Sequence, residues 1–148
     1  MADVIFDVDG TLMNIEHRRH HVQPPAGGKK NWKGFVADTH KDTPNHDVVE
    51  MAKLLKAAGN RIIISSGRFE DQKEITEQQL AEAGVRYDAI YLRANKDNRS
   101  DDLVKADMLE QMKLDGFNPT MAYDDRDRVC AMWRANGIRC FQVAPGDF

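Results

Sequence analysis

The 148-residue sequence predicts a three-layer, doubly wound α/β fold, Rossmann-like in topology, with one parallel sheet of five strands. Two observations lead to this fold class. Short apolar runs alternate along the chain with longer segments whose apolar residues recur at helical spacing, and a glycine follows each of those helical segments. Strands that alternate with helices pair in parallel through right-handed crossovers, which places helices on both faces of the sheet.

The five strands are predicted from their composition and from the residues around them. The first three, at 4–6, 61–65 and 88–92, are continuous apolar runs that we expect to be buried on both faces. The strands at 120–123 and 139–143 are weaker candidates, each placed after a helical stretch that glycine closes. Functional residues of such a sheet belong at the carboxyl ends of its strands. The helical segments are 48–58, 75–83, 103–109 and 129–133.

Residues 12–45 do not fit the alternation, and we expect them to form a flap. The segment is rich in histidine, proline, glycine and lysine, and only Trp32, Phe35 and Val36 offer apolar anchors. It is too short for a second domain and too long for a passive connection, so a position over the site is favoured. The prediction is therefore a single domain over 1–148 with a flap insertion.

Composition limits the classes of function. No apolar run approaches the roughly 18 residues that a membrane-spanning helix needs, so no membrane role is expected. Acidic residues lie where a signal peptide carries positive charge, which favours a cytoplasmic protein. Cys130 and Cys140 are too few for a disulfide framework and are interpreted as reduced thiols. A net charge of −3 argues against wrapping long nucleic acid but is compatible with a local basic pocket.

The strongest chemical signal is Asp7-Val8-Asp9-Gly10, directly after the first strand. Residues two apart in an extended chain face the same side, so Asp7 and Asp9 are expected to converge. Adjacent carboxylates repel unless a divalent cation lies between them or one is protonated, and both conditions suit a nucleophile beside a general acid. A plain turn at Asp9-Gly10 is the alternative. A calcium loop is excluded because Gly10, as its sixth residue, would put Ile5 at the first ligand position.

Ser66, Gly67 and Arg68 follow the second strand and form the second candidate site. A hydroxyl and free backbone N–H groups at a strand-to-helix turn can bind a phosphate-sized anion, and an arginine can bond two phosphate oxygens. Serine and glycine are also common turn residues, so a structural turn followed by a solvated arginine remains open.

Two further charged pairs each allow a structural and a functional interpretation. Asp101 and Lys105 are four residues apart in a predicted helix, where they could form an exposed ion pair. Alternatively, Asp101 positions the Lys105 ammonium beside a carboxylate and a phosphoryl oxygen. Asp124 and Asp125 end the fourth strand, where they could cap the next helix. Alternatively, one ligates a metal ion while the other holds a metal-bound water or a basic partner.

The order Asp-x-Asp, serine, lysine and acidic pair, each in a strand-to-helix context, resembles the haloacid dehalogenase superfamily of phosphotransferases. The stretches 5–12, 66–68, 101–105 and 123–148 further resemble the 3′-phosphatase domain of phage-type polynucleotide kinase-phosphatases, so the resemblance covers nearly the whole chain. The sequence carries no Gly-x-x-x-x-Gly-Lys-Ser/Thr segment, the phosphate-binding loop of the kinase half. The four superfamily motifs would be Asp7/Asp9, Ser66, Lys105 and Asp124/Asp125.

The resemblance implies the sheet order 5-4-1-2-3 and a small flap in place of a full cap domain. It also implies a covalent aspartyl-phosphate on Asp7, with Asp9 as general acid and base. Ser66 and Lys105 complete the implied catalytic group. The implied Mg²⁺ ligands are Asp7, the Asp9 carbonyl, Asp124 and Asp125. The implied substrate-binding residues are Arg18, Ser66, Gly67, Arg68 and Asp101.

The implied activity is Mg²⁺-dependent hydrolysis of phosphomonoesters, with 3′-phosphates at nucleic-acid ends as the first substrate class. Nucleoside monophosphates are the alternative substrates. A separate kinase or ligase activity would be a partner, and the host cytoplasm would be the compartment of a phage-encoded protein. A non-catalytic interaction module on the same fold is a third possibility. Such a module would tolerate the loss of Asp7, Asp9 or Lys105, whereas this chain keeps them all.

Histidines and aromatic residues of the flap raise two further possibilities. His17 and His21 would share a helix face and could ligate zinc, but no third ligand at suitable spacing is apparent. Trp32, Phe35 and Trp133 could stack on a nucleobase, although such aromatic residues are more often part of a core.

Overall fold

The computed structural model describes residues 1–148, which form seven strands and six helices. The strands are β1 (Asp3–Phe6), β2 (Met13–Asn14), β3 (Thr43–Pro44), β4 (Arg61–Phe69), β5 (Ala89–Arg93), β6 (Pro119–Asp124) and β7 (Arg139–Gln142). The helices are α1 (Glu16–Arg19), α2 (Trp32–Ala37), α3 (His46–Ala57), α4 (Lys73–Ala83), α5 (Asp101–Leu114) and α6 (Asp127–Ala135). Single 3₁₀ turns lie at Thr39–Lys41 and Glu70–Gln72.

Five strands form one parallel sheet in the order β5-β4-β1-β6-β7. Strand β1 lies in the centre, between β4 and β6. Without the short β2 and β3, this is the predicted order 5-4-1-2-3 counted from the opposite edge. The predicted doubly wound fold is therefore confirmed, and each strand forms close to its predicted position.

Alternate residues of the central strands pack on opposite faces of the sheet. Val4 and Phe6 of β1 join one apolar cluster with residues of α3 and α4, whereas Ile5 joins a second cluster with residues of α5 and α6. The period-2 alternation of a strand thus divides one sequence run between two layers of helices. The strands point their carboxyl ends toward one edge of the molecule.

Two predicted strands differ from the structure. Strand β5 was expected to be buried on both faces, but the residues from Ala89 to Leu92 are only partly buried, because β5 is an edge strand paired with β4 alone. Strand β4 continues to Phe69, so Ser66, Gly67 and Arg68 lie inside a strand and not in a turn after it. The pairing of β4 with β5 is irregular between Ser65 and Phe69, which turns this segment away from regular sheet geometry.

The predicted flap leaves the sheet after β1 and returns before α3. Its two ends are joined by the antiparallel pair of β2 and β3. Asn45 reinforces this junction, since its backbone N–H donates to the Leu12 carbonyl at 2.8 Å and its side chain donates to the Thr11 carbonyl at 2.9 Å. The flap therefore carries the short helices α1 and α2 on a closed base.

Cys130 and Cys140 are both free and buried in the cluster under α5 and α6. No helix has both the length and the apolar character needed to cross a membrane.

Candidate active site

The carboxyl ends of the central strands open into a cavity of about 560 Å³. The ends of β1, β4 and β6, the first turn of α5 and the flap all contribute side chains to its wall. Every catalytic, substrate-binding and metal-binding residue that the resemblance implied lines this cavity except Ser66, which is fully buried behind it. The structure thus brings together side chains that are up to 118 positions apart, from Asp7 to Asp125.

Asp7, Lys105 and Asp124 form a buried ionic cluster at the floor of the cavity. The Lys105 ammonium donates to Asp7 Oδ1 at 2.8 Å and to Asp124 Oδ2 at 2.9 Å. The Thr11 hydroxyl donates to the other Asp7 oxygen at 2.8 Å, and the Trp133 indole N–H donates to Asp124 Oδ2 at 3.2 Å. Because each Asp7 oxygen has its own donor, the orientation of this carboxylate is fixed.

Asp125 lies beside this cluster and is bonded differently. Carboxylate oxygens of Asp7, Asp124 and Asp125 lie within 4.8 Å of one another. The Oδ2 atom of Asp125 is buried and has no hydrogen-bond partner, and the nearest cationic atom, Nη2 of Arg19, is 3.9 Å away. An unpaired buried carboxylate oxygen is costly, so this atom is available to a ligand.

The electrostatics of the floor reflect three carboxylates around one ammonium. Burial raises the pKa of Asp7 well above its usual value, the Asp124 charge adds to the increase, and Lys105 opposes it. Burial and the Asp124 charge raise the pKa of Asp125 to about 6. Burial alone would lower the pKa of Lys105, but the charges of Asp124 and Asp7 outweigh burial and raise it. Lys105 therefore stays protonated, and the carboxylates at the cavity floor outnumber its single positive charge.

Two arginines and two aspartates form a second cluster between the flap and the sheet. Arg18 donates to both oxygens of Asp42 at 2.7 Å and to Asp9 Oδ1 at 2.9 Å. Arg68 donates to Asp9 Oδ1 and to Asp42 Oδ2, both at 2.9 Å. Burial would raise the pKa of Asp9, but the Arg68 and Arg18 charges hold it below its usual value. Asp9 is thus bonded as a carboxylate, turned toward the arginines.

Asp101 belongs to a third ionic cluster. Its two oxygens accept hydrogen bonds from Arg93 and, at 2.8 Å, from Arg126 Nη1. The predicted contact between Asp101 and Lys105 is therefore wrong, because Lys105 is bonded to Asp7 and Asp124 instead. Four-residue spacing puts two side chains on one helix face but does not decide which partners they choose.

Ser66 and Gly67 occupy the strand segment between these clusters. The Ser66 hydroxyl accepts the backbone N–H of Arg68 at 3.1 Å, and the Gly67 carbonyl accepts from Arg93 Nε at 2.9 Å. A Cβ atom on Gly67 would lie 2.7 Å from Asp101 Oδ1, so the absence of a side chain lets Asp101 approach the strand. Arg68 is 97% buried. The alternative interpretation, a structural turn followed by a solvated arginine, is therefore wrong.

Comparison with known proteins identifies the family. A family model described as the polynucleotide kinase PNKP phosphatase domain matches residues 2–148. The chain belongs to this family. The resemblance read from the motifs is thereby confirmed, and the chain is a phosphatase domain of the haloacid dehalogenase type.

Solved structures similar to this PNKP-type phosphatase domain agree with the assignment. A chain of a Pnkp1/Rnl/Hen1 complex is 30% identical, with a TM-score of 0.82 over 100% of this chain and 47% of that chain. A chain of the Pnkp1/Rnl/Hen1 RNA repair complex is also 30% identical, with a TM-score of 0.78 over 100% and 44%. The domain therefore spans about half the length of these relatives.

More distant structures share the fold of the PNKP-type domain. A class C acid phosphatase from Bacillus anthracis with tungstate bound is 15% identical, with a TM-score of 0.67 over 99% of this chain and 67% of that chain. The haloacid dehalogenase-like hydrolase SP0104 from Streptococcus pneumoniae is 13% identical, with a TM-score of 0.67 over 96% and 84%.

The PNKP-type domain offers a donor set that fits a hard divalent cation. Asp7, Asp124 and Asp125 are the one group of three or more potential ligands that the structure brings together. Their oxygen donors suit Mg²⁺, and the unpaired Asp125 Oδ2 and the excess negative charge are features that a cation would satisfy. The zinc alternative finds no support in the geometry, since His17 bonds Asp42 and His21 bonds Asp38.

Sequence reasoning missed several residues that complete the site of the PNKP-type domain. Asp42 is the most important, because its fully buried carboxylate binds both Arg18 and Arg68. It lies in a flap of loop-like composition, and no sequence pattern pairs it with either arginine. The other missed residues are Thr11 and Arg126.

Proposed function

We propose that this domain is a Mg²⁺-dependent phosphomonoesterase that removes 3′-phosphates from nucleic-acid ends through an aspartyl-phosphate on Asp7. The observation that carries the proposal is the Asp7 carboxylate, fixed by Lys105 and Thr11 at the floor of a cavity whose wall also holds two buried arginines. Membership of the PNKP phosphatase family supports the same chemistry.

The proposed reaction has two in-line steps. An Asp7 oxygen attacks phosphorus and forms the acyl-phosphate, while the bond from phosphorus to the 3′-oxygen breaks and Asp9 gives that oxygen a proton. Water then attacks phosphorus, Asp9 takes its proton, and the Asp7–phosphorus bond breaks to release inorganic phosphate. Lys105 neutralises charge on Asp7 and on the phosphoryl oxygens, so catalysis relies on positioning and electrostatics.

Asp9 needs one further event before it can act as an acid. Its carboxylate is bonded to Arg18 and Arg68, which are also the proposed phosphate-binding residues. A phosphate dianion offers these guanidiniums stronger bidentate partners than a shared carboxylate does. Substrate binding is therefore expected to draw the two arginines from Asp9. Without their charges the pKa of Asp9 rises, so its carboxylate takes up a proton from solvent, and this is the proton that it gives to the 3′-oxygen. Ser66 and Gly67 would help to position the bound phosphate from strand β4. Asp101 would do so indirectly, through its hydrogen bonds with Arg93 and Arg126.

The metal would be held by Asp7, the Asp9 carbonyl, Asp124 and Asp125. When bound, Mg²⁺ supplies positive charge that stabilises the developing charge on the phosphoryl oxygens. Asp125 is the stronger candidate for a direct ligand, because Asp124 Oδ2 already accepts from Lys105 and Trp133.

The proposed substrate and partners rest on the cavity and on the family. The cavity is open to solvent and is lined by several cationic side chains, as a phosphate at the end of a strand requires. Similar chains have been solved within a Pnkp1/Rnl/Hen1 RNA repair complex. We accordingly propose that this domain works alongside separate kinase or ligase activities on broken nucleic-acid ends.

The decisive experiment measures phosphate release from a 3′-phosphorylated oligonucleotide and from free 3′- and 5′-mononucleotides. The wild-type domain with Mg²⁺ should prefer the oligonucleotide. A preference for mononucleotides would overturn the polymer assignment in favour of a nucleotidase. The observation that favours this second candidate is the presence of aromatic residues in the cavity wall.

The role of Asp7 is tested with Asp7→Asn. The substitution should lower kcat by on the order of 10⁴-fold or more, as the loss of a nucleophile does, without unfolding the domain. Asp71→Asn, at an exposed carboxylate outside the cavity, is the matched control and should keep full activity. Mass spectrometry of quenched wild-type reactions should find a phosphoryl group on Asp7. Full activity of Asp7→Asn would refute the aspartyl-phosphate.

A further inference from the structure

The flap presents an exposed tryptophan to the same cavity that holds Asp7. Trp32, the first residue of α2, is 53% exposed and lines the cavity wall. The other tryptophan, Trp133, is fully buried and bonded to Asp124, so it belongs to the core. A large exposed aromatic face inside an active-site cavity is a site for a flat ligand, since the sheet and its helices do not use it.

Trp32 is linked to the proposed phosphate-binding residue Arg18 by one aromatic contact and one cation–π contact. Its ring meets the Phe35 ring edge-to-face, with centroids 5.8 Å apart and an interplanar angle of 84°. The Phe35 ring in turn lies 4.1 Å from the Arg18 guanidinium carbon, and Arg18 bonds Asp9. The aromatic pair therefore lies directly beside the proposed phosphate site.

The flap holds this aromatic pair in place without a ligand. The Asn31 side chain accepts the Gly34 N–H at 3.0 Å and so caps α2, while the Asn31 backbone N–H donates to the His21 carbonyl at 2.7 Å. His21 also bonds Asp38, just after α2, at 2.9 Å. A platform ordered in advance loses less entropy when it binds a ligand.

The charges around the platform point to a nucleotide. The Lys30 ammonium lies 5.5 Å from the centre of the Trp32 ring, and Arg99 and Arg128 line the cavity wall as well. Aromatic surface beside cations matches a nucleic-acid strand, whose bases stack while its phosphodiesters meet positive charge. Arg99 is already paired with Asp97 and Asp107, whereas Lys30 and Arg128 form no salt bridge, and an apolar peptide would offer these two cations no anionic partner.

We propose that Trp32 and Phe35 form a nucleobase-binding subsite, which stacks the base of the nucleoside that carries the scissile phosphate. This inference rests on the proposed phosphatase function and adds the part of the substrate that the flap recognises. The subsite selects nucleotides over other phosphomonoesters, and because any base offers a π-face, it is tolerant of sequence.

The kinetic test compares two oligonucleotides that differ only at the 3′-terminal nucleoside, which carries either a base or an abasic sugar beneath the 3′-phosphate. Trp32→Ala should lower kcat/KM for the base-bearing end by about 5- to 150-fold, mainly through KM, and should change the abasic end far less. Trp32→Phe should restore most of the loss. Leu54→Ala, at an exposed apolar residue outside the cavity, is the control. Equal losses on both ends would overturn the subsite.

A binding test works without turnover. In Asp7→Asn, a nucleoside 3′-phosphate and a base-bearing 3′-phosphorylated oligonucleotide should each quench the Trp32 emission, whereas inorganic phosphate and ribose 3-phosphate should not. The same titration in Asp7→Asn with Trp32→Phe subtracts the contribution of buried Trp133. Quenching by inorganic phosphate alone would overturn the inference. Failure of the proposed function would instead show as absent hydrolysis of both ends by the wild-type domain, with base-dependent quenching intact.

Discussion

Gly10 shows how one residue without a side chain shapes the metal-binding cluster. Its φ of +79° lies in the left-handed region, and a Cβ atom there would lie 2.1 Å from Asp125 Oδ2. The turn after β1 thus requires glycine at this position for two reasons: the backbone has a positive φ, and the Asp125 carboxylate occupies the space of a side chain.

Gly10→Ala is therefore expected to displace Asp125. The loss of activity should be about 10²-fold, the order that a displacement of about 1 Å at a reacting centre costs. Gly116→Ala is the matched control, since Gly116 also has a positive φ, +95°, but nothing lies near its missing Cβ. Both variants should lose unfolding free energy in urea titrations, by about 1 kcal/mol for Gly116→Ala and by more for Gly10→Ala, whose Cβ also meets Asp125, whereas only Gly10→Ala should lose activity. Equal activity of the two variants would contradict the expected displacement.

The individual site residues were predictable to different degrees. Asp7 and Asp124 follow or end buried parallel strands, whose carboxyl ends must meet, so sequence position alone brought them together. Asp42 was not predictable, because its partners Arg18 and Arg68 reach it only through the folding of the flap. Asp101 was assigned the wrong partner, since Arg93 and Arg126 come from segments that helix periodicity does not describe.

At the scale of elements, Asp3 joins the beginnings of the three central strands. Its carboxylate accepts from Arg61 Nε and Nη2 at 2.7 and 2.8 Å, at the start of β4, and from the Asn118 N–H at 2.7 Å, just before β6. The hydrogen bond from Arg61 is the main reason that the pKa of Asp3 lies below its usual value. Asp3 therefore aligns β1 with both neighbours at the end remote from the cavity.

Asp3→Asn should lower the unfolding free energy by about 1–2 kcal/mol at pH 7, because charged hydrogen bonds are replaced by neutral ones. The folded-state pKa is lowered, so the stabilisation is complete above the unfolded value of 3.8 and is lost as the pH falls through the folded value. Urea titrations from pH 7 to pH 3 should show the two proteins converging at the acidic end. The control is Asp71→Asn, and a difference that persists unchanged at pH 3 would contradict the assigned role.

Element types followed from the sequence, whereas element ends did not. Apolar runs and helical stripes placed all five sheet strands, since burial dictates their composition. The continuation of β4 through Ser66 to Phe69 was hidden, because serine, glycine and arginine favour turns when judged locally. Pairing with β5 at Phe69 and the hydrogen bonds of Arg68 and Arg93 help to keep this segment extended.

For the molecule as a whole, the unbalanced negative charge at the cavity floor couples folding to the binding of a metal ion. Asp7, Asp124 and Asp125 are close together only in the folded chain, so a cation bound there favours the folded state over the unfolded one. The same three carboxylates are a local cost when no cation accompanies them, because Lys105 balances only part of their charge.

Mg²⁺ at about 100 times its Kd should therefore stabilise the domain by about 2.7 kcal/mol, or about 5–10 °C in Tm. Asp125→Asn should remove most of this increase, whereas Asp71→Asn should keep it. Thermal unfolding followed by circular dichroism, with MgCl₂ and then with excess chelator, measures the change. An unaltered Tm in wild-type protein at saturating MgCl₂ would argue against a metal at this site.

The hydrogen bond between Lys105 of α5 and Asp7, just after β1, spans 98 positions of the chain, so it forms only when α5 has packed against the sheet. Contacts of such long range form late and slowly during folding, because the loop must close before the contact can contribute. A nascent or truncated chain could acquire helices and even a partial core and still be inert. Enzymatic turnover would thus report the completion of folding. Helix content measured by spectroscopy would not, because the helices form before this contact does.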